Sequence, residues 1–385
     1  MELSHRLKKL PPYLFAEIDR AKRKAKEEGR DIIDLGVGDP DLPTPKNIID
    51  KLNEAARDPR NHRYALDQGM PRLREAIANW YKNRFKAQVD PEREILPLIG
   101  SKEGIAHLPL AFINSGDVVL LPDPAYPAYK SAVIFSDGIP YLIPLLEKNN
   151  FLPDFSMIKK DILSRVKIIY LNYPNNPTAA VADAGFLKQA VEFARQNSLV
   201  LCYDNAYSEM SYDNFRSPSL LEIDGAKEVG IEFHSLSKTY NMTGWRIGWA
   251  VGNKEIISAL AKVKANIDSG IFSAIQVAGI EALERTERHV REMCKIYKRR
   301  RDIMVEGLNK IGIQAARPKA TFYLWMKMPI GNSSAECAKL FLEKADIVVT
   351  PGVGFGLYGE GYIRMALTVP EERLSIALSR IEKIL

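Results

Sequence analysis

The sequence predicts an α/β protein with two units: a large one with a mostly parallel sheet flanked by helices, and a smaller α+β one. Three observations carry this. From about residue 46 to residue 252, short apolar runs alternate with amphipathic stretches, the pattern of strands buried on both faces and joined by crossover helices. After residue 254 a long helical region gives way to strand-like segments and a closing helix. The chain is also long enough: 385 residues, 46% hydrophobic and 26% charged, amount to roughly two to three domains of ordinary globular composition. The expected division is an N-terminal arm over 1–30, a small unit from 31–45 and 256–385, and a large unit over 46–255.

The elements follow in order. The arm reads as a helix started by Pro11 and Pro12, with Leu14, Phe15 and Ile18 on one side, ending at Gly29. The apolar runs of the large unit are Ile95–Ile99, Val118–Leu121, Ile139–Ile143, Val166–Asn172, Leu199–Tyr203, Ile231–His234 and Ile247–Val251. Helices are expected between them, for example over Gly104–Asn114 and Ala182–Gln196. The last third reads as helix over Lys254–Lys310, strands near Thr321–Lys327, Ile347–Thr350 and Tyr362–Leu367, and a helix from Glu371. A binding cleft is expected between the two units.

Composition excludes several classes. The apolar fraction is too high for disorder. The longest apolar stretches, Ile105–Ile113 and Ile271–Ile280, fall far short of the ~20 residues of a membrane span. The first residues run into charge and proline rather than a secretory apolar region. Cys202, Cys294 and Cys337 lack C-x-x-C spacing, which argues against a disulfide framework or a cysteine zinc site; a reduced, cytoplasmic protein without a metal is expected. The net charge of +6 is concentrated in Lys22-Arg23-Lys24 and Lys298-Arg299-Arg300-Arg301. Val290, Met293, Tyr297, Met304, Leu308 and Ile311 form a helical stripe through the second cluster, and no aromatics interleave either. Both clusters therefore read as solvated helix faces, and neither nucleic acid nor membrane is an expected partner.

One motif is a decoy. Gly354, Gly356 and Gly359 spell G-x-G-x-x-G, but the following Gly361-Tyr362-Ile363-Arg364-Met365 reads as extended rather than as the helix a dinucleotide site requires. The informative signal is distributed. Gly100-Ser101-Lys102-Glu103-Gly104 follows one strand and opens a helix, where backbone N–H groups and a hydroxyl suit a phosphate. Asn172-Tyr173-Pro174-Asn175-Asn176-Pro177-Thr178 follows a second strand. Asp204-Asn205-Ala206-Tyr207 follows a third, and Ser235-Leu236-Ser237-Lys238 a fourth, with Arg246 just beyond. Each has a purely structural reading alone. Together they place serines, an arginine, a lysine, an aspartate, an asparagine and a tyrosine at one sheet edge. That inventory suits a phosphorylated pyridine aldehyde, which needs an amine, a carboxylate for the ring nitrogen and an anion cup.

On these motifs, in this order, the chain resembles the class I/II aminotransferases of pyridoxal-phosphate (PLP) fold type I over essentially its whole length. Leu10–Phe15, Ile231–Asn253 and Asn266–Gln276 make it most similar to the LL-diaminopimelate branch. The resemblance implies pyridoxal 5′-phosphate as cofactor and carries roles over residue by residue. Lys238 would hold the cofactor through its amine and move the α-proton. Asp204 would pair with the pyridine nitrogen, Tyr207 and Asn176 with the phenolic oxygen, and Tyr126 would stack on the ring. Ser101, the Lys102 backbone, Ser235, Ser237 and Arg246 would form the phosphate cup. Tyr64 would reach the phosphate from a neighbouring subunit, which implies a homodimer. Arg364 would bind the substrate α-carboxylate, Gly38 would lie against the substrate, and Tyr13 and the Lys102 side chain would meet its distal end. One departure is Ala179, where many relatives carry glycine; a positive φ there would strain alanine, and a modest turn change is expected. The implied reaction passes an amino group between glutamate and ring-opened tetrahydrodipicolinate, giving LL-diaminopimelate and 2-oxoglutarate. Aspartate, alanine or aromatic amino acids as substrates, or a β-lyase reaction, stay open on the same residues.

Overall fold

The computed structural model describes residues 2–10, 14–65 and 68–385. Among them are twelve strands, in chain order β1 (Ile33–Asp34), β2 (Ile95–Leu98), β3 (Val118–Asp123), β4 (Ile139–Pro144), β5 (Val166–Asn172), β6 (Val200–Asp204), β7 (Gly230–Ser235), β8 (Gly248–Gly252), β9 (Tyr323–Lys327), β10 (Ile347–Val348), β11 (Thr350–Pro351) and β12 (Tyr362–Ala366). Seven form one sheet in the order β2-β8-β7-β6-β5-β3-β4. Only β8 runs antiparallel to its neighbours; the others share one direction. These are the seven apolar runs of the sequence, shifted by a few residues at most.

Continuous apolar runs are required because both faces are covered. Successive side chains point to opposite faces, so Val119, Leu121, Ile168 and Tyr170 enter one core with Ile105, Leu108 and Leu260. Val118, Leu120, Ile169 and Leu171 enter the other with Phe186, Leu187, Ala190 and Val191 of the helix Ala184–Gln196. Asp183 caps that helix by accepting from the Phe186 N–H at 2.8 Å.

The second unit holds the antiparallel sheet β11-β12-β9 and the parallel pair β1–β10. Ile33 and Leu35 pack there with Met304, Leu308, Phe341, Ile363 and Ile381, so the segment after the arm joins the C-terminal part. The expected division after residue 255 cuts across packing of another kind. Ile256, Ile257 and Leu260 lie in the core of the large sheet, and Ile271, Ala278 and Ala282 pack with Leu73, Ile77 and Trp249. Helical periodicity marks an apolar face but not which core receives it. We place the start of the small unit near the helix Glu287–Lys310, whose Tyr297, Met304, Val305 and Leu308 enter its core.

The glycine-rich stretch after β11 forms two 3₁₀ turns, Gly352–Phe355 and Leu357–Gly359, and leads into β12. It is tied to the large unit: the buried Asp123 carboxylate accepts the Leu357 and Tyr358 N–H groups, each at 3.1 Å. A Cβ on Gly356 would overlap that carboxylate. Among the described residues, no helix is long and apolar enough to cross a membrane.

Ala179 does sit at positive φ, +56°, in a turn closed by Asn175 N–H to Ala180 O (2.9 Å) and Ala179 N–H to Asn175 O (3.0 Å). Left-handed backbone costs alanine about 1–2 kcal/mol. Glycine would relieve this but surrender a buried methyl and lose more chain entropy, about 0.5–1 kcal/mol for each. Ala179→Gly is therefore expected to shift stability by less than about 1 kcal/mol and to keep activity, as checked by urea unfolding and turnover.

Candidate active site

Because β2, β3, β5, β6 and β7 share one direction, the segments leaving their carboxyl ends meet at one edge of the sheet. They line a cavity of about 400 Å³ with residues of the small unit. The large unit contributes Ser101, Lys102, Tyr126, Asn176, Asp204, Tyr207, Ser235, Ser237, Lys238 and Arg246; the small unit contributes Gly38 and Arg364. One expected residue is elsewhere: Tyr64 is 89% exposed and lines no part of this cavity. Tyr13 lies outside the described residues.

Lys238 sits in the single helical turn Leu236–Thr239 just after β7, which Ser235 caps by accepting the Ser237 N–H at 3.1 Å. Its Nζ donates to the Gly38 carbonyl at 2.8 Å. Burial, helped by the Arg364 and Arg246 charges, lowers the amine to about 8, while Asp39 opposes the shift. At neutral pH a useful fraction of Lys238 is thus uncharged.

Asp204 ends β6. Its Oδ2 accepts the Tyr129 hydroxyl at 2.7 Å, while its buried Oδ1 has no hydrogen-bond partner among the described residues. Burial pushes the carboxyl up to about 6; the Tyr129 hydroxyl, the Ala206 N–H and His234 pull the other way. A buried carboxylate with one open oxygen is disposed to take a cationic N–H donor.

Asn172, at the end of β5, donates to the Asp204 carbonyl (2.8 Å) and accepts the Asn176 N–H (2.8 Å). Asn176 Oδ1 in turn accepts Arg364 Nη1 at 2.7 Å, and Arg364 Nη2 donates to Gly36 O at 2.6 Å. The guanidinium, on β12, is buried and lies 4.3 Å from the Tyr323 ring centre and 4.7 Å from that of Phe355.

At the other end, Gly100 has φ +77° and precedes the helix Ser101–Phe112; a Cβ on it would overlap the Arg246 guanidinium. Ser101, at the positive end of that helix, thus lies beside a cation, with the hydroxyls of Ser235 and Ser237 on the same cavity wall. Lys102 Nζ stands 6.0 Å from the Tyr126 ring centre, and burial with the nearby Arg246 charge lowers its amine.

Sequence reasoning missed three contributors. Asn172 lay inside a turn motif read through Asn176, Tyr129 reads as one more core aromatic, and Tyr323 lies in an apolar strand. Tyr323 shares a 2.9 Å hydrogen bond with Tyr207 between the two hydroxyls. The only cue to Tyr129 was its place one helical turn after Tyr126.

An α/β sheet with a lysine, a carboxylate, and serines beside an arginine at its carboxyl edge, facing a buried arginine from a second unit, defines a class. The family model for aminotransferases of class I and II matches residues 30–381, and the chain belongs to that family. An LL-diaminopimelate aminotransferase of Aquifex aeolicus (strain VF5) is 54% identical over 383 residues, covering 100% of this chain and 99% of the relative. One of Moorella thermoacetica is 51% identical over 385 residues, covering 100% and 99%. Among solved structures, substrate-bound BacF from Bacillus subtilis superposes with a TM-score of 0.96 at 38% identity, covering 100% of this chain and 98% of that one.

Proposed function

We propose that this chain uses pyridoxal 5′-phosphate to pass an amino group between glutamate and ring-opened tetrahydrodipicolinate, giving LL-diaminopimelate and 2-oxoglutarate. The observation that carries the cofactor is the meeting, in one cavity, of the Lys238 amine with the buried Asp204 carboxylate, whose Oδ1 has no hydrogen-bond partner among the described residues. The relatives' names support the substrate.

Ser101, the Lys102 backbone, Ser235, Ser237 and Arg246 would hold the phosphate. Asp204 would face the pyridine nitrogen, Asn176 and Tyr207 the phenolic oxygen, and Tyr126 the ring face. When bound, the cofactor supplies an aldehyde for the amino group and a ring that withdraws electrons from the substrate α-carbon. Asp204, as a carboxylate, would favour a proton on the ring nitrogen and so strengthen that withdrawal. Lys238, largely neutral above pH 8, would take the proton from the substrate α-carbon and hold it for return across the amino nitrogen. Arg364 fixes the α-carboxylate by a forked pair of hydrogen bonds, oriented by Asn176 and the Gly36 carbonyl. Gly38 lies against the substrate, and Lys102 and Tyr13 meet its far end.

Tyr64, exposed in its own chain, reaches the phosphate of a second copy in this reading, so the working unit is a homodimer. The three cysteines are free thiols, which fits a reducing cytoplasm.

Half-reaction spectra test the reading. Mixed singly with LL-diaminopimelate or glutamate, the cofactor-loaded protein should convert its long-wavelength band to that of the amine form, with little conversion by aspartate or alanine. Conversion only by the latter pair would replace the substrate. Pyruvate released from a cysteine conjugate without a keto acid would indicate a lyase.

A further inference from the structure

Tyr323 stands where three parts of the site meet. Its hydroxyl shares a hydrogen bond with Tyr207 (2.9 Å), the face of its ring lies 4.3 Å from the Arg364 guanidinium carbon, and its hydroxyl occupies the space a Cβ on Gly38 would need. It is buried, and it comes from β9 of the small unit while Tyr207 belongs to the large one. We propose that Tyr323 is a positioning residue that couples the two halves of the reaction site: through its hydroxyl it sets the hydrogen-bond strength of Tyr207, and through its ring it holds Arg364 in register for the carboxylate. This rests on the reading above, in which Tyr207 donates to the cofactor.

The chemistry is directional. Burial and the neighbouring Tyr323 hydroxyl keep Tyr207 protonated well beyond the usual phenol range. Tyr207 thus has a proton to give and an oxygen free to accept, and a hydroxyl that accepts one hydrogen bond donates a stronger one. With Tyr323 donating, Tyr207 draws more negative charge from the cofactor oxygen it meets. That charge would otherwise favour a proton on Lys238 Nζ. The ring does separate work: a guanidinium over a desolvated aromatic face gains a cation–π attraction that an aliphatic side chain does not supply. Phe355 flanks the same guanidinium, its ring centre 4.7 Å away; of these two rings, Tyr323 is the one that also hydrogen-bonds Tyr207.

Two substitutions in the full-length, cofactor-loaded protein separate these roles. Tyr323→Phe removes only the hydroxyl. The pH midpoint of the long-wavelength absorbance should rise by about half a unit to one unit, with binding of maleate, a dicarboxylate without an amino group, unchanged within about twofold. Tyr323→Leu removes hydroxyl and ring; the same spectral shift should come with maleate binding about 5- to 30-fold weaker by calorimetry. A residue that merely fills space would lower thermal stability in both variants and move neither midpoint nor the ratio of affinities. An unmoved midpoint in Tyr323→Phe, or equal maleate affinity in the two variants, overturns the inference while leaving the cofactor assignment standing. Failure of the wild-type protein to develop any long-wavelength band with pyridoxal phosphate overturns both.

Discussion

Lys238→Ala is expected to lower turnover by at least about 10⁴-fold, because the covalent hold on the cofactor and the base for the α-proton are lost together. The cofactor should still be retained through the phosphate cup and Asp204. Gel filtration followed by phosphate analysis checks retention, and loss of the long-wavelength band checks the missing amine. Wild-type turnover in this variant would remove the lysine from the reaction. The pH dependence has a defined sign. Only the neutral amine attacks an aldehyde, and burial lowers Lys238 from 10.5 to about 8. Capture of pyridoxal phosphate by cofactor-free protein should therefore accelerate as pH rises, by about tenfold per unit below 8, and level off above it. A rise continuing to pH 10 would mean an amine of ordinary basicity.

Arg364→Ala should cut kcat/KM by about 30- to 4,000-fold for amino and keto substrates alike, mostly through KM, since truncating one partner of a buried charge pair costs about 2–5 kcal/mol. The cofactor spectrum should stay as in the wild type. Arg364→Lys should recover only part of the loss, because a point-like ammonium does not reproduce a forked, planar contact between Asn176, Gly36 and the substrate. Some stability should also be lost in the alanine variant, about 1–3 kcal/mol, because Asn176 Oδ1 and the Gly36 carbonyl would lose a buried donor. Unchanged substrate affinity would move the carboxylate site elsewhere.

Much of this architecture was legible because local pattern and global role coincide. A strand buried on both faces has to be apolar throughout, so the seven runs marked the sheet. The residues at or just past their carboxyl ends then had to be neighbours, which gathers Ser101, Asn176, Asp204 and Lys238 from the sequence alone. The rest is non-local. Tyr207 and Tyr323 are separated by 116 positions and Arg364 and Asn176 by 188, and nothing in the composition near one announces the other. Tyr323 stands in an apolar strand, where an aromatic is the expected filler. The stretch Lys254–Lys310 reads in the sequence as one long helical region, and helical character does not choose between two cores. Ala179 was the reverse case: a residue type out of keeping with its turn pointed to the backbone angle found there.

The split of the cavity between two units has a mechanical consequence. Lys238 and Asp204 ride on the large sheet, whereas Arg364 rides on β12, and the glycine turns beside it are strapped to Asp123 at the end of β3. In the reading proposed above, a bound amino acid would therefore work as a strut, anchored at its carboxylate by one unit and worked on at its α-carbon by the other. Its backbone-like end is the same in every substrate, so any amino acid can brace the two bodies in one spacing while the side chain varies. That permits a single pocket to serve a short donor and a long diamino acid in alternate half-reactions, with reach beyond the strut left to whatever lines the mouth of the cleft.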